Sequence, residues 1–399
     1  MDGQGRPLDV VGVVGAGTMG AGIAQLALEA GHEVLLHDVD EAAIERGRAR
    51  IVEGLARRAA RLDLDPDSID GWVEGRLEGL RDAHSLDALA GEAGVVLEAA
   101  VEDLDLKRTI FRVLDAAASG DVLLATNTSA LSVGAIAAAT GSPARVIGLH
   151  FFNPAPVMPL VEVVAPSEAA PGAVARGTAL VESWGRTAVR TADSPGFIVN
   201  RVNRPFTLEA LAMLEAGVAS VEAIDTAVRA AGYPMGPFEL MDLVGLDVNL
   251  AAARGVWDGF GRAERFRPSP VQEHLVEAGR LGRKAGVGFY RYDAGPPVPV
   301  DPVPDGPATA GGAAPPDGSA IVERLRLAIV NEAWHALGEN VATEADIDLA
   351  LRLGAGHPDG PFAITASIGG PRAVLDTLRR LAAFGPRFEP APALISAAA

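Results

Sequence analysis

The sequence predicts a doubly wound α/β domain, then an all-α domain, then a second and partial all-α repeat. Three observations predict it. Short β-rich runs alternate with helical patterns through the first half of the chain. A glycine-rich turn joins the first of those strands to the first helix. Past Pro195 the strand signal nearly vanishes, and one helical stretch occurs twice.

The elements follow in order. Residues 10–14 form a continuous apolar run, which predicts a strand buried on both faces. Residues 18–30 predict a helix closed by Gly31. Residues 34–37 predict the second strand, and 41–62 a long helix rich in Ala and Arg. Residues 95–97, 122–125, 146–149 and 160–164 predict further strands. Strands spaced by helices imply βαβ units and a mainly parallel sheet, whose ligands bind beyond the carboxyl ends of the strands.

The turn after the first strand reads Gly15-Ala16-Gly17-Thr18-Met19-Gly20. Gly15 permits the tight turn. Gly17 has no side chain to block a pyrophosphate, and Gly20 lets helix and strand pack closely. The helix start then offers N–H groups and partial positive charge to phosphates. The second strand ends in Asp38, eighteen residues after Gly20, where a ribose-binding carboxylate is expected. Together these make the first domain Rossmann-type. A carboxylate about 5 Å from a 2′-phosphate costs roughly 3 kcal/mol per unit of phosphate charge at an effective dielectric near 20. Val39 follows Asp38 and no Arg sits beside it, so NAD is expected over NADP.

Beyond Pro195, residues 199–216, 221–231, 239–253 and 271–278 predict helices. The domain boundary is expected near residues 190–195. Residues 293–319 are rich in Pro, Gly and Ala and predict a linker. The stretch from Ile198 resembles the stretch from Ile321: Ile224-Asp225 and Ile347-Asp348 keep the same offset from Glu209 and Glu332. "GYPMGPFEL" from Gly232 recurs as "GHPDGPFAI" from Gly356. The second copy carries Glu323 in place of Asn200 and Ser319 in place of Gly196. The expected domains are 1–192, 193–293, a linker over 294–319, and the second partial helical repeat over 320–399.

Composition narrows the function. The chain has 399 residues, 49% of them apolar, which is enough for more than one core. Its 34 Lys and Arg stand against 52 Asp and Glu, a net charge of -18 with no long basic run, so no nucleic-acid partner is expected. There is no Cys, which excludes disulfides, thiolate nucleophiles and Cys-ligated metals and fits a cytoplasmic protein. The seven His show no HExxH spacing, and no metal is expected. Residues 10–28 carry no charge but include five Gly, unlike a spanning helix, so no membrane partner is expected.

Two strand ends carry the candidate chemistry. His150 lies at the end of one predicted strand and Glu162 within the next, so adjacent strands bring them within reach. A carboxylate holding one imidazole nitrogen protonated leaves the other as a base. From spacing alone the pair is equally a core histidine beside an edge charge. Arg57, Arg58 and Arg61 form either a solvated basic face or an anion site. "GYPMGPFEL" reads as structural, a helix start with Phe238 packed behind it.

Taken in order, "GAGTMGAGIA", "NTSAL", "GLHFFNPAPVMPLVEVV", "SPGFIVNR", "GYPMGPFELMDLVGLD" and "GRKAGVGFY" resemble the L-3-hydroxyacyl-CoA dehydrogenase family, including its 3-hydroxybutyryl-CoA branch, over roughly residues 8–292. The resemblance implies a soluble NAD-dependent enzyme that oxidises the 3-hydroxyl of an acyl-CoA thioester. By motif it implies His150 as general base, Glu162 as the carboxylate orienting it, Ser129 as a hydroxyl bonding the substrate, and Asn200 as the amide supplied by the helical domain. Glu102, Lys107 and Lys284 match cofactor-contacting positions. The family often has Lys in the long helix where this chain has the three arginines. The helical domain commonly forms a dimer interface, so a homodimer is expected, with a monomer left open because the second copy would cover or imitate that surface. A dehydrogenase of free 3-hydroxy or sugar acids on the same scaffold stays open, as does a nucleotide-binding protein without activity. Acyl chain length is not readable: 3-hydroxybutyryl and 3-hydroxyadipyl groups both fit.

Overall fold

The computed structural model describes residues 10–62, 64, 65, 68–293, 295–300 and 317–399. The chain divides into two compact units, one ending at Ser194 and one beginning at Pro195.

The first unit is the expected α/β doubly wound domain. Its strands are β1 (Val11–Val14), β2 (Val34–His37), β3 (Leu80–Asp82), β4 (Val95–Glu98), β5 (Leu123–Thr126), β6 (Val146–Phe151), β7 (Leu160–Ala165) and β8 (Thr187–Ala192). They form one sheet in the order β3-β2-β1-β4-β5-β6-β7-β8. All neighbours are parallel except β6 and β7. Helices α1 (Thr18–Glu29), α2 (Glu41–Ala59), α3 (Ile69–Leu77), α4 (Leu86–Glu92), α5 (Leu104–Ala117), α6 (Val133–Ala137) and α7 (Pro171–Ser183) connect the strands. Every residue of β1, β2, β4 and β5 is buried, because helices cover both faces of a parallel sheet. The order reverses at β1, whose neighbours are β2 and β4; ligands bind at such a switch point.

Two strands went unpredicted. β3 is three residues long with two exposed, and β8 reads Thr-Ala-Val-Arg-Thr-Ala; neither is an apolar run. The antiparallel β6–β7 pair departs from the parallel pattern because a short loop, not a crossover helix, joins them.

The second unit contains α8 (Val199–Val202), α9 (Arg204–Glu215), α10 (Val221–Ala230), α11 (Pro237–Val244), α12 (Leu246–Gly259), α13 (Pro270–Glu277), the short strands β9 (Tyr290–Arg291) and β10 (Val298–Pro299), and then α14 (Gly318–Gly338), α15 (Glu344–Gly354), α16 (Pro361–Ser367), α17 (Pro371–Leu381) and α18 (Pro392–Ala397). The predicted helix over 199–216 is split, since Pro205 lacks an N–H for the helix ladder. The one over 239–253 is split at Gly245, which sits at φ 101°. The predicted linker is shorter than expected: Val298–Pro299 pairs with Tyr290–Arg291, and α14 starts at Gly318, while residue 294 and residues 301–316 lie outside the described residues.

The helical domain and its partial repeat belong to one compact unit. α14 packs on α8 and α9, and the ion pairs between the two copies are reciprocal. Arg201 donates to Glu332 at 2.8 Å, and Arg324, 123 residues further on, donates to Glu209, 123 residues before Glu332. Arg265 reaches the other oxygen of Glu332 at 2.9 Å, as Arg387 reaches that of Glu209 at 2.6 Å. The repeated Ile-Asp has a common task as well. Asp225 accepts the N–H groups of Phe238 and Glu239 at the start of α11, and Asp348 those of Phe362 and Ala363 at the start of α16. Each carboxylate satisfies donors that a helix start leaves open.

Candidate active site

The glycine turn follows β1 and opens α1. Gly15 takes φ 99°, and a Cβ there would meet the Ala99 carbonyl oxygen at 2.7 Å. At Gly20 a Cβ would meet the Gly15 carbonyl oxygen at 1.8 Å, so close packing requires glycine. Around Gly17 nothing lies within 4 Å of such a Cβ, which leaves room for a phosphate over the helix start. Gly17 is the N-cap of α1 and offers no side-chain cap, so the first-turn N–H groups stay available to an anion. Asp38, just past β2, accepts the Ala16 N–H at 2.8 Å and so ties the turn to the second strand. Thr18 and Met19 follow on the first turn of α1. These residues fit a dinucleotide.

A second cluster gathers at the ends of β4 and β5. Glu98, fully buried, accepts from Lys107 Nζ at 2.7 Å and from Thr126 Oγ1 at 2.7 Å. Lys107 is 1% exposed and its second carboxylate neighbour is Glu102 at 3.5 Å. Glu102 accepts from Thr128 Oγ1 at 2.6 Å and from the N–H groups of Ser129 and Ala130 at 3.0 and 3.1 Å. Glu102 and Lys107 therefore brace the loop that carries Ser129. Sequence reading missed Glu98, although a carboxylate ending a strand was the very signal that found Asp38.

His150 and Glu162 stand directly opposite in the antiparallel β6–β7 register. His150 Nδ1 and Glu162 Oε2 are 2.6 Å apart, with the side chains 6% and 0% exposed. Phe152 lies over the imidazole at 4.5 Å between ring centres. Asn127 Oδ1 accepts the Phe151 N–H at 2.9 Å and anchors the end of β6 beside the loop of Ser129. Asn127 is the first residue of "NTS", so the motif carried the signal though only its serine was singled out. Asp193, also missed, accepts from Ser132 Oγ at 2.7 Å and from the N–H groups at the start of α6.

The three arginines are exposed, as a solvated face would be. With Arg50 and Arg186 they line a cavity of about 600 Å³ between α1, α2 and the loop 153–157. The acid in that lining is Glu29, 3.6 Å from Arg58, so the walls carry five cations against one anion. Burial lowers the pKa of Arg186, whose guanidinium donates to the Pro156 carbonyl at 2.7 Å.

The remaining expected site residues belong to the second unit. Asn200 lies on α8, and Lys284 pairs with Asp247 at 2.6 Å.

Comparison with known proteins matches both units to one family. Residues 10–194 match the model of the 3-hydroxyacyl-CoA dehydrogenase NAD binding domain, and residues 196–292 and 321–395 that of the 3-hydroxyacyl-CoA dehydrogenase C-terminal domain. The chain is 38% identical to a 3-hydroxyadipyl-CoA dehydrogenase of Escherichia coli, with 91% of each chain covered. It is 42% identical to a 3-hydroxybutyryl-CoA dehydrogenase of Mycobacterium tuberculosis, covering 71% of this chain and 98% of the relative. Among solved structures it is similar to the crystal structure of 3-hydroxybutyryl-CoA dehydrogenase from Escherichia coli, with TM-score 0.85, 36% identity and 98% of each chain covered.

Proposed function

Because the chain belongs to the 3-hydroxyacyl-CoA dehydrogenase family and is an NAD-dependent oxidoreductase, we propose that His150 is the base that removes the 3-hydroxyl proton of its acyl-CoA substrate. The observation that carries this reading is the contact of 2.6 Å between His150 Nδ1 and the buried Glu162. Glu162 accepts the Nδ1 proton, which assigns proton abstraction to Nε2 and stabilises the imidazolium that forms. Bound NAD supplies the hydride acceptor. Ser129, on the loop braced by Glu102, and Asn200, on α8, hold the reacting oxygen by hydrogen bonds. Gly17 and the start of α1 take the pyrophosphate, and Asp38 the ribose. Glu102 and Lys107 serve the cofactor through the loop they brace, and Lys284 from its pairing with Asp247.

The five-arginine cavity supports a CoA thioester over a free hydroxy acid, since CoA brings several phosphate charges and a small acid brings none. A cytoplasmic location accords with the absence of Cys. Among the described residues no helix is long and apolar enough to cross a membrane. The reciprocal ion pairs join two helical copies within one chain, so the expected homodimer would have to use another surface.

The test is His150→Gln. Turnover of 3-hydroxybutyryl-CoA is expected to fall about 10²- to 10⁴-fold, the usual worth of a positioned base, while NAD binding persists. Turnover near wild type would overturn the assignment.

A further inference from the structure

Arg204 opens α9 and is 6% exposed, yet its charge is not answered. Its Nε is buried without a hydrogen-bond partner, and no carboxylate pairs with its guanidinium among the described residues. Burial lowers its pKa to about 10, so the group stays a cation at neutral pH. The other buried arginines described in this unit are treated differently. Arg201 holds Glu332 and Glu339, and Arg324 holds Glu209. A buried cation without an anion is costly, and such groups persist mainly where function needs them.

The internal repeat shows that packing does not demand an arginine here. At the 123-residue offset that relates Arg201 to Arg324, the counterpart of Arg204 is Leu327, 2% exposed. The second copy, which also lacks the amide at the Asn200 position, fills the place with hydrocarbon. In the first copy Arg204 comes one turn after Asn200. Although α8 and α9 are separate helices, Asn203 between them keeps helical backbone and donates its N–H to the Val199 carbonyl at 3.0 Å, which sets Arg204 about one turn beyond Asn200.

We propose that Arg204 determines acyl specificity by receiving the ω-carboxylate of a short dicarboxylic 3-hydroxyacyl-CoA, with 3-hydroxyadipyl-CoA as the probe. The proposal rests on the dehydrogenase reading and on Asn200 holding the 3-oxygen. In a 3-hydroxyadipyl group three carbon–carbon bonds of about 1.5 Å separate the hydroxyl carbon from the far carboxyl carbon, roughly 4 Å. Residues one helical turn apart have Cβ atoms about 5–6 Å from each other, so both side chains are near enough to serve one short acyl group. The anion that Arg204 meets could also be a phosphate of CoA or NAD, and the test separates these sources.

The experiment compares 3-hydroxyadipyl-CoA with 3-hydroxyhexanoyl-CoA, identical except for the terminal carboxylate, in wild type, Arg204→Met and Arg204→Lys. Wild type is expected to favour the adipyl substrate in kcat/KM by tenfold or more. In Arg204→Met the ratio collapses by about 10- to 100-fold, the usual effect of losing a hydrogen bond between charged groups. Arg204→Lys keeps part of the preference. The melting temperature of Arg204→Met is expected to equal or exceed that of wild type, because an unpaired buried charge is removed. Equal losses on both substrates would assign Arg204 to the CoA phosphates or to packing and overturn the proposal. A rise confined to the KM for NAD would overturn it in favour of the cofactor. Should Arg204→Met not fold, a wild type without preference for the adipyl substrate is enough to overturn it. A wild type that oxidises neither thioester would instead defeat the dehydrogenase reading itself.

Discussion

A histidine serves as a base when a neighbour decides which of its nitrogens carries the proton. In the role proposed for His150 that neighbour is Glu162, 2.6 Å away, and His357 gives the contrast. His357 is buried, with Nε2 on the Asn203 side-chain oxygen at 2.8 Å and Nδ1 unpartnered. No carboxylate supports its charged form, and burial, followed by the charge of Arg326, lowers its pKa from 6.5 to about 4. The sign of the consequence follows from proton binding. As pH falls from about 6.5 towards 4, the unfolded chain takes up a proton that the folded chain refuses, so stability is lost across that window. The loss amounts to about 3 kcal/mol at the acid end. Denaturant midpoints measured at pH 7 and pH 4.5 are expected to differ less in His357→Phe than in wild type. Equal pH dependence in the two would refute it. Nothing in the sequence around His357 distinguished it from His150 as a buried ring; the difference lies in what packs against each.

Elements decide which side chains meet. The register of β6 and β7 sets His150 opposite Glu162, and a slip by one residue would turn one of them to the other face of the sheet. The strands were legible as apolar runs, whereas their antiparallel pairing came from the short loop. Helix α2 shows the limit of pattern reading. Its arginines read as an exposed basic face, and they are exposed; what the pattern does not record is that α1 and the loop 153–157 form the far walls of a cavity beside them. Reversing two of these charges, Arg58→Glu with Arg61→Glu, is expected to raise KM for acyl-CoA about tenfold or more, at roughly 1 kcal/mol for each exposed pair lost. KM for NAD is expected to stay within about twofold. The effect on acyl-CoA should shrink in high salt, where exposed charges are screened. Equal effects on both ligands would show that the cavity is not specific for CoA.

Across the whole molecule, the internal repeat explains the tail. Alone, each helical copy would bury a carboxylate, Glu209 or Glu332, without the arginines that answer it. Paired, they exchange those arginines along two related helices, much as two subunits do across a self-complementary interface. Glu209→Ala leaves Arg324 and Arg387 without a buried partner and is expected to destabilise the second unit by about 3–5 kcal/mol. Loss of residues 294–399 should be more severe: the shortened chain is expected to aggregate or to double in mass through the uncovered face. A soluble, monomeric shortened chain with unchanged melting would refute this account.

The sequence by itself determined the local and periodic features. These are six of the eight strands of the large sheet as apolar runs, the glycine turn before α1, the strand-end carboxylate at Asp38, and the repetition of Ile-Asp and Gly-Pro-Phe. Each is written within a few consecutive residues, and local backbone sterics or burial on both faces forces the outcome. Tertiary structure alone decided that Lys107 lies buried against Glu98, that Arg186 joins the four arginines of the α2 segment in one cavity, and that Arg204 keeps a buried charge while Arg201 beside it is paired. Whether a charged group is exposed, paired or isolated depends on atoms brought close by folding from far along the chain, and no local pattern records those neighbours.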